Sequence, residues 1–199
     1  MFVPSSPELR GWRAKPMREV KRYVDGNVLV VETERGYPWQ QQLDQQGGPF
    51  LELAGPTDHF RRDIIDFSKY REKTKCTNIE LKPGVDEVAD ATRMRFPDQS
   101  FQAVFISSFR ITDKTRQRPK PEDKIDLENA QHLTEVAKEA WRVLAPGGLL
   151  VWLRLETEAE LKSIESLGFI PVFSQDTFFP KASAGDHERH RYQVVYVKE

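Results

Sequence analysis

An acidic residue and a glycine turn follow one short apolar segment of the chain. In FLELAGPTDHF, residues 50–60, Glu52 lies at the end of the apolar run and Gly55 in the turn after it. Glycine tolerates positive φ and lets the backbone approach a ligand closely, whereas proline, here Pro56, fixes φ and removes an N–H donor. The segment predicts a strand followed by a ligand-binding loop with fewer backbone donors than a glycine-rich loop has.

The histidines do not form a metal-binding or catalytic pattern. His59, His132, His187 and His190 share no metal-ligand spacing, so we predict no metal site. His187 and His190 are expected in a polar hairpin loop. His132 is expected on a helix, where a role as general base competes with an ordinary solvent-facing position. Since no nucleophile–base pair stands out, we assign no catalytic residue.

A parallel sheet is the element that must position the residues of the turn. From residue 50 onward, apolar strand patterns alternate with amphipathic helix patterns, which is typical of an α/β sheet covered by helices on both faces. Ligands of such sheets bind at the carboxyl ends of the strands. We therefore expect the loops after Leu53, Ile79 and Ile106 to line any site.

The individual elements follow from periodicity and turn residues. Strands are predicted at 20–24, 28–34, 49–55, 75–81, 101–109, 149–155, 171–179 and 191–198. Helices are predicted at 57–71, 127–144 and 157–169. The remaining segments are an extended or loosely docked arm, a polar loop or short helix, and a charged loop, at 1–18, 36–48 and 112–126.

Composition narrows the class of protein. The chain has 199 residues, with 30 basic and 31 acidic side chains, and this balance argues against a nucleic-acid partner. The single cysteine, Cys76, excludes an internal disulfide and favours a reducing compartment. There is no signal-peptide pattern and no run of about 18 apolar residues. We expect a cytoplasmic protein without a membrane partner.

Three stretches together resemble the class I S-adenosylmethionine-dependent methyltransferases, particularly their small-molecule type. VADATRMRFPDQSFQAVFISSF, residues 88–109, is similar to the family's acidic segment, Phe-Pro-Asp turn and fourth strand. EVAKEAWRVLAPGGLLVW, residues 135–152, is similar to its helix, Pro-Gly-Gly turn and fifth strand. FLELAG, residues 50–55, stands in the place of the glycine-rich loop. The resemblance covers residues 48–199.

This resemblance implies a Rossmann-like three-layer α/β sandwich. Its sheet would have seven mostly parallel strands, the last one antiparallel and the final two forming a hairpin. Residues 48–199 would form this domain, and residues 1–47 an N-terminal extension made of the arm and a strand pair. The implied reaction is methyl transfer from S-adenosylmethionine to a small-molecule acceptor.

The resemblance also implies a cofactor site. Glu52 would contact the methionine amine or order the loop, and Asp90, beside Ala91, would bind the adenine amine. A carboxylate is expected at the ribose, where Asn78 stands, or Glu80 if the strand is longer. The implied cofactor-binding residues are Glu52, Ala54, Gly55, Pro56, Thr57, Asn78, Glu80, Asp90, Ala91 and Ser107.

Three of these positions depart from the family's pattern. Ala54 and Pro56 replace glycines, and Asn78 replaces a carboxylate. The loop is therefore either a variant that binds the cofactor or one that no longer binds it, and the second alternative is an inactive binding or scaffolding module. A dinucleotide-dependent oxidoreductase is a third hypothesis, against which the poor glycine loop counts. An oligomer or a protein partner stays open.

Overall fold

The computed structural model describes residues 6–55, 64–81, 83–106, 122–180 and 189–199. Within them lie nine strands that form one sheet, four α-helices and two 3-10 turns. The strands are β1 (Arg18–Asp25), β2 (Val28–Glu34), β3 (Phe50–Leu53), β4 (Thr74–Asn78), β5 (Glu87–Val88), β6 (Phe101–Ile106), β7 (Leu144–Leu155), β8 (Phe169–Phe179) and β9 (Arg189–Lys198). The helices are α1 (Ser6–Ala14), α2 (Trp39–Gln45), α3 (Glu122–Val143) and α4 (Glu158–Glu165).

The sheet confirms the predicted Rossmann-like arrangement. Its order is β1-β2-β8-β9-β7-β6-β3-β4-β5, and β5, β4, β3, β6 and β7 pair in parallel. β9 pairs antiparallel with both β7 and β8, so it is the reversed last strand of a hairpin inserted at the edge of the parallel set. The nine strands are these seven and the strand pair of the N-terminal extension.

The N-terminal strand pair extends the sheet beyond the seven strands. β1 and β2 pair antiparallel around a turn in which Gly26 has φ +66°, and β2 pairs antiparallel with β8 from Leu29↔Phe178 to Glu34↔Phe173. Within the segment predicted as a loosely docked arm, Ser6–Ala14 instead forms a helix. The reason is burial, because Leu9 is only 2 % exposed and Trp12 packs edge-on against Tyr37.

Two other helix predictions differ from the structure. The predicted helix 57–71 falls partly outside the described residues, and its described part forms two 3-10 turns at Phe67–Lys69 and Arg71–Lys73. Asp66 Oδ1 accepts bonds from the N–H and hydroxyl of Ser68, a local bond that competes with helix. The other difference concerns α3, which begins at Glu122, inside the segment predicted as a charged loop.

The core lies on both faces of the sheet. On one face, buried side chains of α3 and α4 pack on β3, β6 and β7, with Trp152 and Tyr196 among the largest. On the other face, side chains of α1 and α2 pack around Phe50, Tyr70 and Phe105. This two-sided burial explains the near-continuous apolar sequence of β6 and β7. No helix in the described part of the chain is long and apolar enough to cross a membrane.

Candidate functional site

The carboxyl ends of β3, β4 and β6 lie side by side at one edge of the sheet. β3 is the middle strand, and Leu53 pairs with Thr77 of β4 and with Ile106 of β6. The chain segments that leave this edge carry the residues implicated by sequence. Of the predicted cofactor-binding residues, Pro56, Thr57 and Ser107 lie outside the described residues.

In the turn after β3, the backbone of Gly55 packs closely against the side chains of Glu52 and Cys76. Gly55 N–H donates to the carbonyl oxygen of Thr77 at 3.1 Å. A Cβ on Gly55 would lie 2.6 Å from Cys76 Sγ and 2.7 Å from Glu52 Oε1, so only glycine fits there. The positive φ of the turn falls on Ala54, at +58°, a conformation that costs an L-residue about 1–2 kcal/mol. The glycine is therefore required for close packing, and the alanine takes the left-handed position.

Glu52 lies beneath this turn and not at the surface. Its side chain is 0 % exposed, and its Oε2 is 2.7 Å from Nη1 of Arg71, which is itself 40 % exposed. The hydroxyl of Thr77 donates to the Glu52 carbonyl oxygen at 3.0 Å. Burial, and then the charge of Glu52, raises the pKa of the neighbouring Cys76 thiol to about 12. Arg71 was missed by sequence reasoning, since it lies in a segment predicted as helix.

Asn78 and Glu80 differ in what they offer a ligand. β4 ends at Asn78, which is 7 % exposed. Its amide donates to the Gly55 carbonyl oxygen at 2.5 Å, and its Oδ1 accepts from the Glu80 N–H at 3.2 Å. Both ends of the Asn78 amide are thus engaged in bracing the turn, whereas Glu80 is exposed just beyond the strand.

Asp90 and Ala91 follow β5 at the same edge. Asp90 Oδ1 accepts hydrogen bonds from the Thr92 N–H at 2.9 Å and from the Thr92 hydroxyl at 2.8 Å. These bonds are the main reason that the Asp90 pKa lies below its usual range, with a smaller contribution from the charge of His132. Asp90 is exposed, whereas Ala91 is buried with the core below it. The arrangement presents a fixed carboxylate at the surface, followed by a small buried side chain.

Arg142 joins the two motifs that carried the resemblance. On α3, it forms a bidentate pair with Glu139 at 3.0 and 2.8 Å. It also donates to the carbonyl oxygens of Met94 and Phe96 and to Asp98. The carboxylates of Glu139 and Asp98 raise the pKa of Arg142. The sequence did not reveal this network, because Met94, Phe96 and Asp98 lie more than 40 residues before Arg142.

The Pro-Gly-Gly segment, residues 146–148, contacts the N-terminal extension. It was predicted as the turn before a strand at 149–155, but it lies within β7, where the pairing with β6 shifts register. Gln42 of α2 is buried, accepts a hydrogen bond from the Tyr37 hydroxyl at 2.6 Å and donates to the Gly147 carbonyl oxygen at 2.8 Å. Gly147 has φ +70°, and a Cβ on Gly148 would lie 2.8 Å from the Ala145 carbonyl oxygen. The two glycines are therefore required by the local backbone of this irregular part of β7.

The histidines are dispersed in the described part of the chain, where no group of three or more His, Cys, Asp or Glu residues could hold a metal ion. The prediction that His190 lies in a hairpin loop is wrong. It lies in β9, with Nδ1 2.9 Å from Asp176 Oδ1 and its ring stacked on Tyr192, because residues 189–192 continue the pairing with β8. His59 and His187 lie outside the described residues.

Comparisons with known proteins agree with this architecture. No family model matches the chain. A demethylmenaquinone methyltransferase of Deinococcus radiodurans is 28 % identical over 150 residues, which are 75 % of this chain and 52 % of that protein. The chain thus spans about half the length of the curated relative that it matches.

One solved structure in particular shows the same fold. An S-adenosylmethionine-dependent methyltransferase of Methanosarcina mazei superposes with a TM-score of 0.50 at 12 % identity, over 81 % of this chain and 97 % of that one. Another, from Thermotoga maritima, has a TM-score of 0.45 at 15 % identity, over 77 % and 84 % of the two chains. The chain has the fold of the class I S-adenosylmethionine-dependent methyltransferases.

Proposed function

We propose that the chain binds S-adenosylmethionine at the carboxyl edge of β3, β4 and β5 and transfers its methyl group to a small-molecule acceptor. The observation that carries the proposal is the grouping of the braced Gly55 turn, Glu80 and Asp90 at this one edge. The Deinococcus relative is named for methylating demethylmenaquinone, which favours a small-molecule acceptor. The balance of 30 basic and 31 acidic residues also favours it over a nucleic acid.

Each described residue has a proposed role that follows from its exposure. Glu80 accepts hydrogen bonds from the ribose hydroxyls, because Asn78 is buried and engaged with Gly55 and the Glu80 N–H. Asp90 accepts a bond from the exocyclic amine of adenine, and Ala91 leaves room for the ring. Ala54 and Gly55 shape the turn. Pro56, Thr57 and Ser107 remain proposed contacts on the strength of the resemblance alone.

The residues present fit the cofactor, since the carboxylates of Glu80 and Asp90 can accept the hydrogen bonds that the ribose hydroxyls and the exocyclic amine of a nucleoside donate. When bound, S-adenosylmethionine supplies an electrophilic methyl group on a sulfonium. The chain contributes alignment, because Glu80 and Asp90 fix the nucleoside at two separate points of one edge. Methyl transfer by alignment requires no nucleophile on the protein.

Calorimetric titration tests the proposal. The purified chain is titrated with S-adenosylmethionine and, separately, with S-adenosylhomocysteine. We expect one-to-one binding in the micromolar range for both, followed by a screen of small-molecule acceptors for release of S-adenosylhomocysteine. An absence of binding at millimolar ligand would contradict the proposal.

A second candidate function, an inactive binding or scaffolding module, is favoured by two observations. Glu52 is completely buried, and the amide of Asn78 is engaged at both ends within the protein. Neither side chain presents a free acceptor to a cofactor in this conformation. The same titration discriminates between the functions, because a module of this kind is not expected to bind S-adenosylhomocysteine.

A further inference from the structure

The ion pair between Glu52 and Arg71 lies beneath the turn after β3, where it can support that turn. Glu52 stands next to Cys76 and Phe105 in the registers of β3 with its neighbours, and its side chain is 0 % exposed. A charge at this buried position is costly without a counter-charge. Arg71 Nη1 lies 2.7 Å from Glu52 Oε2 and supplies a counter-charge. Because Arg71 is 40 % exposed, the pair connects a buried carboxylate to solvent.

The carboxylate in turn fixes the position of the turn above it. The Cβ site of Gly55 falls 2.7 Å from Glu52 Oε1, so Gly55 rests directly on this carboxylate. Two hydrogen bonds to β4 also hold the turn. The Gly55 N–H donates to the Thr77 carbonyl oxygen, and the Asn78 amide donates to the Gly55 carbonyl oxygen. A shift of the carboxylate would therefore displace the backbone that these bonds hold.

We propose that Arg71 is a positioning residue of the cofactor loop, which acts by holding Glu52 beneath Gly55. Glu52 is then a support of the loop and not a direct cofactor contact, because Gly55 separates its carboxylate from the edge. The part that concerns the ligand rests on the proposed function, whereas the part that concerns the loop does not. Removal of the counter-charge from a buried carboxylate costs more than removal of both charges together.

Four variants test this role. Arg71→Met removes the counter-charge, and Arg71→Lys keeps the charge without the planar guanidinium. Glu52→Gln combined with Arg71→Met removes both charges and keeps the shape of the glutamate. Lys73→Met is the matched control, since it removes an exposed positive charge from the same 3-10 turn.

The first readout is the hydrogen-exchange protection factor of the Gly55 amide in the ligand-free protein, measured by NMR. We expect Arg71→Met to lower it at least about tenfold, because an uncompensated carboxylate loosens the turn. The double variant is expected to recover most of the protection, and Arg71→Lys to fall between. The Val104 amide of β6 reports whether the sheet itself is intact. The proposal is overturned if the protection factor of the Gly55 amide in Arg71→Met equals that in Lys73→Met. It is also overturned if the protection factor in the double variant is no higher than in Arg71→Met.

The second readout is the dissociation constant of S-adenosylhomocysteine. We expect Arg71→Met to weaken binding at least about tenfold, and the double variant, in which no carboxylate has lost its counter-charge, to regain most of the affinity. A side chain that only supports the general fold would not give this recovery when Glu52 is also replaced. If the wild-type chain does not bind S-adenosylhomocysteine, the proposed function fails, and the protection factor of Gly55 alone decides the role of Arg71.

Discussion

Arg142 Nη2 lies 2.8 Å from Glu139 Oε2, one helical turn away on α3, and the same carboxylate oxygen accepts a hydrogen bond from the Met94 N–H. The pair therefore anchors the segment between β5 and β6 to the helix that follows it in the chain. Because Asp90 lies only four residues before Met94, the position of the proposed adenine contact depends on this anchor.

Replacement of Arg142 by methionine is expected to destabilise the protein. The variant leaves Glu139 and the carbonyl oxygens of Met94 and Phe96 without a charged donor, and hydrogen bonds to charged groups contribute about 1.5–3 kcal/mol each. We therefore expect a loss of about 2 kcal/mol in the free energy of unfolding, measured by urea denaturation.

The matched control for Arg142 is Lys138→Met on the same helix. Lys138 pairs with Glu135 at 2.7 Å, but both side chains are more than half exposed. Exposed pairs of this kind contribute less than about 1 kcal/mol. An Arg142→Met variant as stable as Lys138→Met would show that the anchor is dispensable.

The pKa of Asp90 provides a test in solution. The Thr92 N–H and hydroxyl stabilise the carboxylate, so the folded-state pKa lies below its ordinary value of 3.8. The resulting stabilisation is fully present above pH 3.8 and is lost as the pH falls through the folded-state pKa. Thr92→Val is expected to raise the pKa, which carbon-detected NMR titration of the carboxyl measures. An unchanged titration would contradict the role of the hydroxyl.

Replacement of Asp90 by alanine should weaken S-adenosylhomocysteine binding by about 10- to 100-fold, since it removes a charged acceptor. His132→Ala is a poor control, because the charge of His132 itself lowers the pKa of Asp90. Glu135→Gln is more suitable, as it changes one exposed charge of α3. Equal and negligible effects of Asp90→Ala and Glu135→Gln in calorimetry would place the adenine elsewhere.

Glu80 and Asn78 should respond differently to substitution. Glu80→Gln is expected to weaken S-adenosylhomocysteine binding by about tenfold while the free energy of unfolding stays unchanged, because Glu80 is exposed. Asn78→Asp removes the donor to the Gly55 carbonyl oxygen, so both binding and stability are expected to fall. Calorimetry and urea denaturation of the two variants separate ligand contact from loop support. A large loss of stability in Glu80→Gln would argue against the assignment.

Cys76 reports on the same region through its pKa of about 12 in the folded protein, against 9.0 as its ordinary value. Between these values the folded protein retains a proton that the unfolded chain has released, so the free energy of unfolding falls as the pH rises above 9. At neutral pH, alkylation by iodoacetamide is expected to be far slower in the native protein than in urea. Equal rates would contradict the buried position of the thiol.

The sequence predicted the strands well because their apolar runs are long and bounded by turn residues. Trp152 lies in such a run, and its burial in β7 followed from the pattern alone. The 3-10 turn that carries Arg71 did not follow, because Phe60, Ile64 and Phe67 suggest a helical face and local bonds of Asp66 override it. The pairing of Arg71 with Glu52 was equally hidden, since periodicity carries no information about partners 19 residues apart.

The burial of Glu52 could not be predicted from the sequence for a different reason. A strand-end acid followed by a glycine suggested a residue that reaches the ligand, or one that orders the loop. Its burial beneath Gly55 depends on how β4 brings Cys76 and Thr77 alongside β3, a tertiary relation. The exposure of Glu80 and the burial of Asn78 likewise depend on the residue at which β4 ends.

The pairing of β2 with β8 has a consequence for cooperativity. The division into residues 1–47 and 48–199 would suggest two units that unfold one after the other. Yet β8 would become an edge strand with unpaired main-chain groups if the N-terminal hairpin detached, and Gly147 would lose its bond from Gln42. The N-terminal segment and the rest of the sheet should therefore unfold together. We expect one calorimetric transition whose van't Hoff and calorimetric enthalpies agree.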